Sequence, residues 1–403
     1  MRILHTADWH IGQTLNGWSR DREHAAFLNA LRDVIVAEDA DALIVAGDVF
    51  DGINPSGEAQ RLLYGALAGF VRARPGLQII LTAGNHDPAQ RLEAPEAVLA
   101  ELGVHVLGTL GRDGEGVLLD RHLLPLRDRT GAVRAHALAL PFLRQADLPG
   151  LTFGAEEAGT SAVVTATRGL IAAAARAAAL RAEGLPLIGI AHLTVAGAEE
   201  SEGAERRILI GGEHALPPDL FPAELAYVAL GHLHRPQTIH GRLRYAGSPF
   251  PLSATEIGHD HGVTLIEIGD GLTHRHIALP RPVPVLRLPA TGAAPLAGIA
   301  AALTALALPE AEPEARPFLY VSLTLDRPLA ALRAEAEALI DRHPVRLAGL
   351  QIARPEAAET PPPPVPLTEI SEEELFRAAF AEQNGIDPGP SHLAAFRDVL
   401  AEV

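Results

Sequence analysis

The chain runs to 403 residues with 48% hydrophobic content, enough for two or three domains around a sizeable buried core, which excludes a disordered chain. It contains no cysteine, so a disulfide framework and a thiolate metal site are both excluded and any metal must bind through nitrogen and oxygen. A formal charge of −17 opposes nonspecific attraction to phosphate backbones, although divalent ions held by some of those carboxylates would reverse the sign locally.

From Met1-Arg2 the chain passes directly into a strand-like run, with no leader-like apolar segment. The longest nearly uncharged apolar stretch, Leu296 to Leu308, falls short of the roughly 20 residues that span a bilayer, so no transmembrane helix and a cytoplasmic location are expected. Every basic side chain is Arg, a compositional bias, and Arg20, Arg22 and Arg91 near the polar loops read as a solvated face at least as readily as contacts to a ligand.

In chain order, Ile3-Leu4 leads into Asp8-Trp9-His10, Leu43 to Val45 into Gly47-Asp48, and Ile79 to Leu81 into Gly84-Asn85-His86-Asp87. Leu187 to Ile190 then leads into His192, and Tyr227 to Leu230 into Gly231-His232-Leu233-His234. Helical stretches over Glu23 to Glu38, Gly57 to Arg72 and Val163 to Glu183 separate these runs, the alternation of a layered α/β domain. Gly269-Asp270-Gly271 between two strand-like runs predicts an antiparallel hairpin, so the sheets should be mixed.

After Pro280, Pro282 and Pro284, the segments Val285 to Leu288, Leu296 to Leu308, Phe318 to Leu325 and Leu329 to Arg342 predict a compact βαβαβ-like second domain. Pro361 to Pro364 with Val365-Pro366 predicts a stiff extended linker. Beyond it Ser371 and Glu374 form a capping box for a helix with Leu375, Phe376 and Phe380 on one face, and a second short helix carries Leu393, Phe396 and Leu400. Two such helices are expected to bury little against each other, so they should dock either on their own protein or on a partner.

The five polar clusters each follow an apolar run, and side chains just beyond strand ends converge on one rim. An Asp-x-His or His-x-His pair in extended chain sets both side chains on one side, roughly 6 to 7 Å apart, a spacing that suits two metals. Asp48, in a turn opened by Gly47, is the natural bridge between them. Such a pair binds a phosphate oxygen and activates a bridging water, which is phosphoester hydrolysis. In Asn85-His86-Asp87 the order reads as ligand, leaving-group acid and orienter of the acid's imidazole. The remaining histidines read as ordinary polar or packing residues.

Residues 1–12, Val45 to Asp51, Ala83 to Asp87, Leu140 to Arg144 and Tyr245 to Pro249 closely resemble the calcineurin-like metallophosphoesterases, and within them the nuclease subunits of DNA double-strand-break repair. The resemblance implies a four-layer α/β sandwich with mixed sheets over 1–278, a small α/β capping domain over 279–356, a linker over 357–366 and a helical tail over 367–403. It implies that Asp8, His10, Asp48 and His234 hold one ion, that Asp48, Asn85, His192 and His232 hold the other, and that His86 is the catalytic histidine. Manganese is the expected metal, with magnesium, iron and zinc as alternatives. It further implies a nucleoid-associated complex with DNA and a coiled-coil ABC-type ATPase. That complex would be a two-plus-two assembly in which this subunit forms a homodimer and the tail residues Leu375, Phe376, Phe380, Leu393, Phe396 and Leu400 bind the ATPase. Ala254, where a larger residue is expected, is a modest departure. The competing readings are a free-standing metallophosphatase of small phosphoesters and a non-catalytic scaffold for an ATPase.

Overall fold

The computed structural model describes residues 1–114, 116–148, 160–201, 205, 215–353 and 371–400. The chain divides into two compact units, Met1–Pro282 and Val283–Val403. The linker expected over 357–366 lies outside the described residues.

The first unit is built on two six-stranded sheets. One has the strand order Leu272–Ala278, Gly262–Ile268, Arg2–Thr6, Ala42–Ala46, Gln78–Thr82, Val104–Leu107. Its last four strands are parallel, and the predicted hairpin joins them antiparallel beside Arg2–Thr6. The other has the order Gln237–Ile239, Leu243–Tyr245, Leu225–Gly231, Leu187–His192, Val133–Ala139, Leu123–Arg127, parallel at its centre and antiparallel at both edges. Both sheets are therefore mixed, as the sequence predicted.

Alternation along the strands sets the layers. Ala42, Ile44 and Ala46 face the second sheet, where they meet Ala135, Ala137, Ile188, Ile190, Tyr227 and Ala229. Leu43 and Val45 face the other way, into a core shared with Phe27, Leu31, Leu63 and Phe70 of the helices Asp21–Ala37 and Gly57–Ala73. The alanines between the sheets let the two backbones approach closely. On the far face of the second sheet Leu187, Val228 and Leu230 pack with Val163, Leu170, Ile171 and Ala174 of the helix Thr160–Arg181. The result is a four-layer α/β/β/α sandwich.

That last helix corrects one sequence expectation. Its segment Ala162–Arg181, rather than Leu296 to Leu308, is long and apolar enough to cross a membrane by length and composition. Here it is the cover of the second sheet, with Val163, Leu170, Ala175 and Ala178 almost fully buried.

In the second unit three parallel strands, Val285–Leu288, Phe318–Thr324 and Arg346–Ala353, alternate with the helices Leu296–Ala305 and Leu329–Ile340. The third strand completes the βαβαβ pattern. The tail forms the helices Glu372–Asn384 and Pro390–Leu400, the first opened by the Ser371–Glu374 capping box and closed by Gly385 at φ 73°. The two helices touch through their rings but bury little, as expected: among the described residues, none of the first and only Leu393 of the second is buried. Phe376 stacks on Phe396 with centroids 4.2 Å apart, and Phe380 meets His392 at 4.8 Å. Ile386, between them, packs on the core of the three-stranded sheet, so the pair also folds back on its own unit.

Candidate metal centre

Asp8 and His10 follow the strand Arg2–Thr6, Asp48 follows Ala42–Ala46, Asn85 and His86 follow Gln78–Thr82, His192 ends its own strand, and His232 and His234 follow Leu225–Gly231. The first sheet thus delivers four of the expected ligands and the second sheet three, all from the carboxyl ends of parallel strands. Ligand atoms gather in three overlapping groups, each within 4.8 Å: Asp8, His10 and His234; His10, Asp48 and His86; Asp48, His192 and His232. Asp48 belongs to two of them, and His10 links the other pair.

The local backbone is bent to make this fit. Asp8, His10, Asp48 and His232 all lie in the left-handed region, at φ 54°, 45°, 51° and 98°. Each such non-glycine residue costs on the order of 1–3 kcal/mol and persists only where the surroundings over-determine it. Glycines make the room: a Cβ at Gly84 would collide with Asp48, and one at Gly231 with the Ala46 carbonyl.

Hydrogen bonds fix several rings. His192 donates from Nδ1 to the Ala46 carbonyl at 2.9 Å, and its Nε2 faces Asn85 Oδ1 at 3.0 Å and Asp48 Oδ2 at 3.3 Å. His234 donates from Nδ1 to Glu256 Oε1 at 2.8 Å, and His10 from Nδ1 to Asp51 Oδ1 at 3.1 Å. His86 donates from Nδ1 to the Asp51 main-chain oxygen at 2.9 Å, while its backbone N–H donates to Asp48 Oδ1 at 2.9 Å.

Electrostatics follow from burial and pairing. Burial alone would lower the His192 imidazole, but the Asp48 carboxylate beside it lifts it to about 9. Burial likewise works against charge on His234, yet Glu256 holds it up at about 10. Against the upward push of burial, His192 and His10 keep Asp48 well below the usual carboxylate range. Burial raises Asp8 and, with His192 nearby, depresses His232.

Asp8 Oδ2, His10 Nε2 and His232 Nε2 are buried yet have no hydrogen-bond partner. Buried polar atoms are nearly always satisfied, so three orphans converging from two sheets mark positions where divalent cations fit, and the mixed imidazole–carboxylate donors suit transition metals.

Asp87 departs from its expected role. Its Oδ2 accepts the N–H groups of Val49 and Gly84 at 3.1 and 2.8 Å, and its Oδ1 that of Phe50 at 2.8 Å. It pins two loops together, and burial pushes it up to about 6. The ring of His86 is held by Asp51 instead. Arg20 is also no surface contact: fully buried, it forms a two-pronged pair with Glu23 and donates to the Pro251 carbonyl. Asp51 and Glu256 are partners of the site that sequence reasoning misses. Asp51 lies inside the motif Val45 to Asp51, whereas Glu256 has no local signal. His5 and His122, read as packing residues, are fully buried; His5 contacts the Tyr227 hydroxyl and His122 the Ala139 carbonyl.

Two stacked mixed sheets that bring aspartates and histidines to one rim define the class as a metal-dependent phosphoesterase. Residues 1–236 match the family model described as calcineurin-like phosphoesterase, and residues 281–384 the one described as type 5 capsule protein repressor C-terminal domain. The chain is 65% identical over 382 residues to the SbcD component of the nuclease SbcCD from Rhodobacter capsulatus, with 94% of each chain covered. It is 34% identical over 398 residues to the SbcD component from Escherichia coli K12, covering 94% of this chain and 93% of that one. With its Bacillus subtilis namesake it shares 35% over 301 residues, 71% of this chain and 72% of the other. The chain therefore belongs to the calcineurin-like phosphoesterases and, within them, to the SbcD family of metal-dependent nucleases.

Proposed function

We propose that the chain is the nuclease subunit of an ATP-dependent complex of the SbcCD type and hydrolyses DNA phosphodiester bonds at a two-metal centre. It acts as a double-strand exonuclease and as an endonuclease on single strands and hairpins. The observation that carries this reading is the set of overlapping ligand groups that share Asp48. Asp8, His10, Asp48 and His234 hold one ion, and Asp48, Asn85, His192 and His232 the other; manganese is the ion. When bound, the pair supplies Lewis acidity toward a phosphate oxygen and toward the attacking water.

The chain's own groups then do the remaining work. With Nδ1–H committed to the Asp51 carbonyl, His86 presents Nε2 to the substrate, where it protonates the departing oxygen. Asp87 maintains the loop that carries Asn85 and His86 through its three backbone contacts. Residues 279–356 cap the DNA, and the tail over 367–403 binds an SbcC-type ABC ATPase in a two-plus-two assembly in the cytoplasm, at the nucleoid. Leu375 and Leu400, exposed on the helical pair, are the tail residues best placed for that contact, whereas Leu393 is buried within it.

The test is co-purification with the ATPase subunit and an assay of linear duplex DNA with Mn2+ and ATP, with and without residues 360–403. Loss of ATP-dependent cleavage on removal of the tail is expected. Unchanged cleavage, or full activity of the isolated chain on aryl phosphates alone, overturns the reading.

A further inference from the structure

The two metal positions are unequal in what stands behind them. At the first, both imidazoles are backed by carboxylates, His10 by Asp51 at 3.1 Å and His234 by Glu256 at 2.8 Å. At the second, His192 is backed by a neutral carbonyl, that of Ala46, and the His232 ring has no carboxylate partner besides Asp48 among the described residues. A carboxylate accepting the outer N–H fixes the tautomer and makes the ring a stronger donor; removing such a partner typically costs about 10–100-fold in metal affinity.

The donors themselves differ in the same direction. Asp8, the first position's own acid, is an anion, whereas Asn85, its counterpart, is a neutral amide. Asp8 Oδ2 and His10 Nε2 at the first position, like His232 Nε2 at the second, have no hydrogen-bond partner to give up to an ion. Asn85 Oδ1 and His192 Nε2 stand 3.0 Å apart, a separation that two ligands of one ion can keep. Glu256 is itself immobilised: it is fully buried, accepts the Leu252 N–H at 2.9 Å and the Ser253 hydroxyl at 3.2 Å, and its main-chain oxygen contacts His261 Nε2 at 3.0 Å.

We propose that Asp51 and Glu256 are positioning residues that rank the two metals: the position of Asp8, His10 and His234 fills first and holds its ion more tightly than that of Asn85, His192 and His232. The inference rests on the two-metal reading above. It makes the second ion the exchangeable one, taken up in proportion to free metal.

Calorimetric titration of the metal-free full-length chain with Mn2+ tests it, read alongside the electron paramagnetic resonance of the bound ion. Two events of unequal affinity are expected, with an isolated-ion spectrum at one equivalent and a coupled spectrum only at two. Glu256→Gln weakens the tighter event by about 10–100-fold and leaves the weaker one in place. Asp51→Asn shifts the same event the same way, and because its side chain is 38% accessible the substitution leaves folding intact. His192→Asn removes only the weaker event. Two equal events, an unmoved tighter event in both carboxylate variants, or loss of the tighter event in His192→Asn overturns the ranking. Uptake of a single equivalent by the unaltered chain instead overturns the two-metal reading beneath it.

Discussion

His192 donates its Nδ1 hydrogen to the main-chain oxygen of Ala46 at 2.9 Å, a bond between residues 146 positions apart that joins the two sheets at the rim of the metal centre. The expected ligands are divided between those sheets, so an ion there ties them together. Metal should therefore act as a stabilising ligand of the native state, worth about 2.7 kcal/mol at a hundredfold excess over Kd. Differential scanning fluorimetry should show Tm rising with Mn2+ and falling with EDTA. The His192→Ala variant should lose only the second ion's share of the rise and keep the first ion's, and a rise equal to that of the unaltered chain would mean that His192 holds no ion.

Glycine positions near this bond give a sharper contrast. Gly231→Ala drives a Cβ into the Ala46 carbonyl, whereas at Gly169, exposed within the helix Thr160–Arg181, a Cβ meets nothing within 4 Å. Overpacking of the first kind costs about 1–3 kcal/mol or more and displaces the adjacent His232. Alanine at the second should add about 0.5–1 kcal/mol, since glycine in a helix interior is destabilising. Urea melts of the two variants should move in opposite directions, and Mn2+ affinity should fall only in Gly231→Ala.

The ligands are legible in the sequence because each sits immediately after a run of buried-strand residues, and a parallel α/β sheet sends all such ends to one rim. Asp51 and Glu256 are not, because they act through a hydrogen bond to the far nitrogen of a ring. For Glu256 that bond spans 22 residues and depends on how the segment Ser248 to Glu256 folds under His234. The reading of Asp87 as orienter follows from adjacency in the chain; the structure spends both its oxygens on backbone N–H groups. The ring contact within the tail is not legible for a related reason, since the stacking of Phe376 on Phe396 depends on the turn at Gly385, which carries no hydrophobic signal.

Acid sensitivity should come partly from histidines outside the centre. His122 is fully buried with Nδ1 donating to the Ala139 carbonyl at 2.7 Å and Nε2 accepting from the Gly111 N–H at 2.8 Å, an arrangement only the neutral ring satisfies. Burial, helped by Arg121, lowers its pKa, and burial with Arg244 nearby lowers His5 to about 3. The unfolded chain then binds more protons than the native one, beginning near pH 6.5, the ordinary histidine value. Their stabilisation is complete above pH 6.5 and is lost as pH falls toward the folded-state values, at up to about 1.4 kcal/mol per pH unit for each ring. Denaturant melts in EDTA should show this slope, and His122→Ala should be less stable at pH 8 yet fall more gently between pH 6.5 and 5. An unchanged slope would show that His122 is charged in the folded protein.

His86 and Asp87 are neighbours with separable failures. The His86 ring is held by a bond to the Asp51 carbonyl, so His86→Ala takes away a proton donor and leaves the loops in place. Cleavage should fall by about 10²–10⁴-fold while Mn2+ affinity and Tm stay close to the unaltered chain. Asp87→Ala strands the buried N–H groups of Val49, Phe50 and Gly84, each costing about 1–3 kcal/mol when left unpaired. The turn that carries Asp48 then loosens from the loop that carries Asn85, so Tm, metal affinity and cleavage should all drop together. Measured side by side, the pair separates chemistry from architecture: a stable, metal-replete Asp87→Ala enzyme would refute the pinning role, and a metal-deficient His86→Ala enzyme would make His86 a ligand rather than an acid.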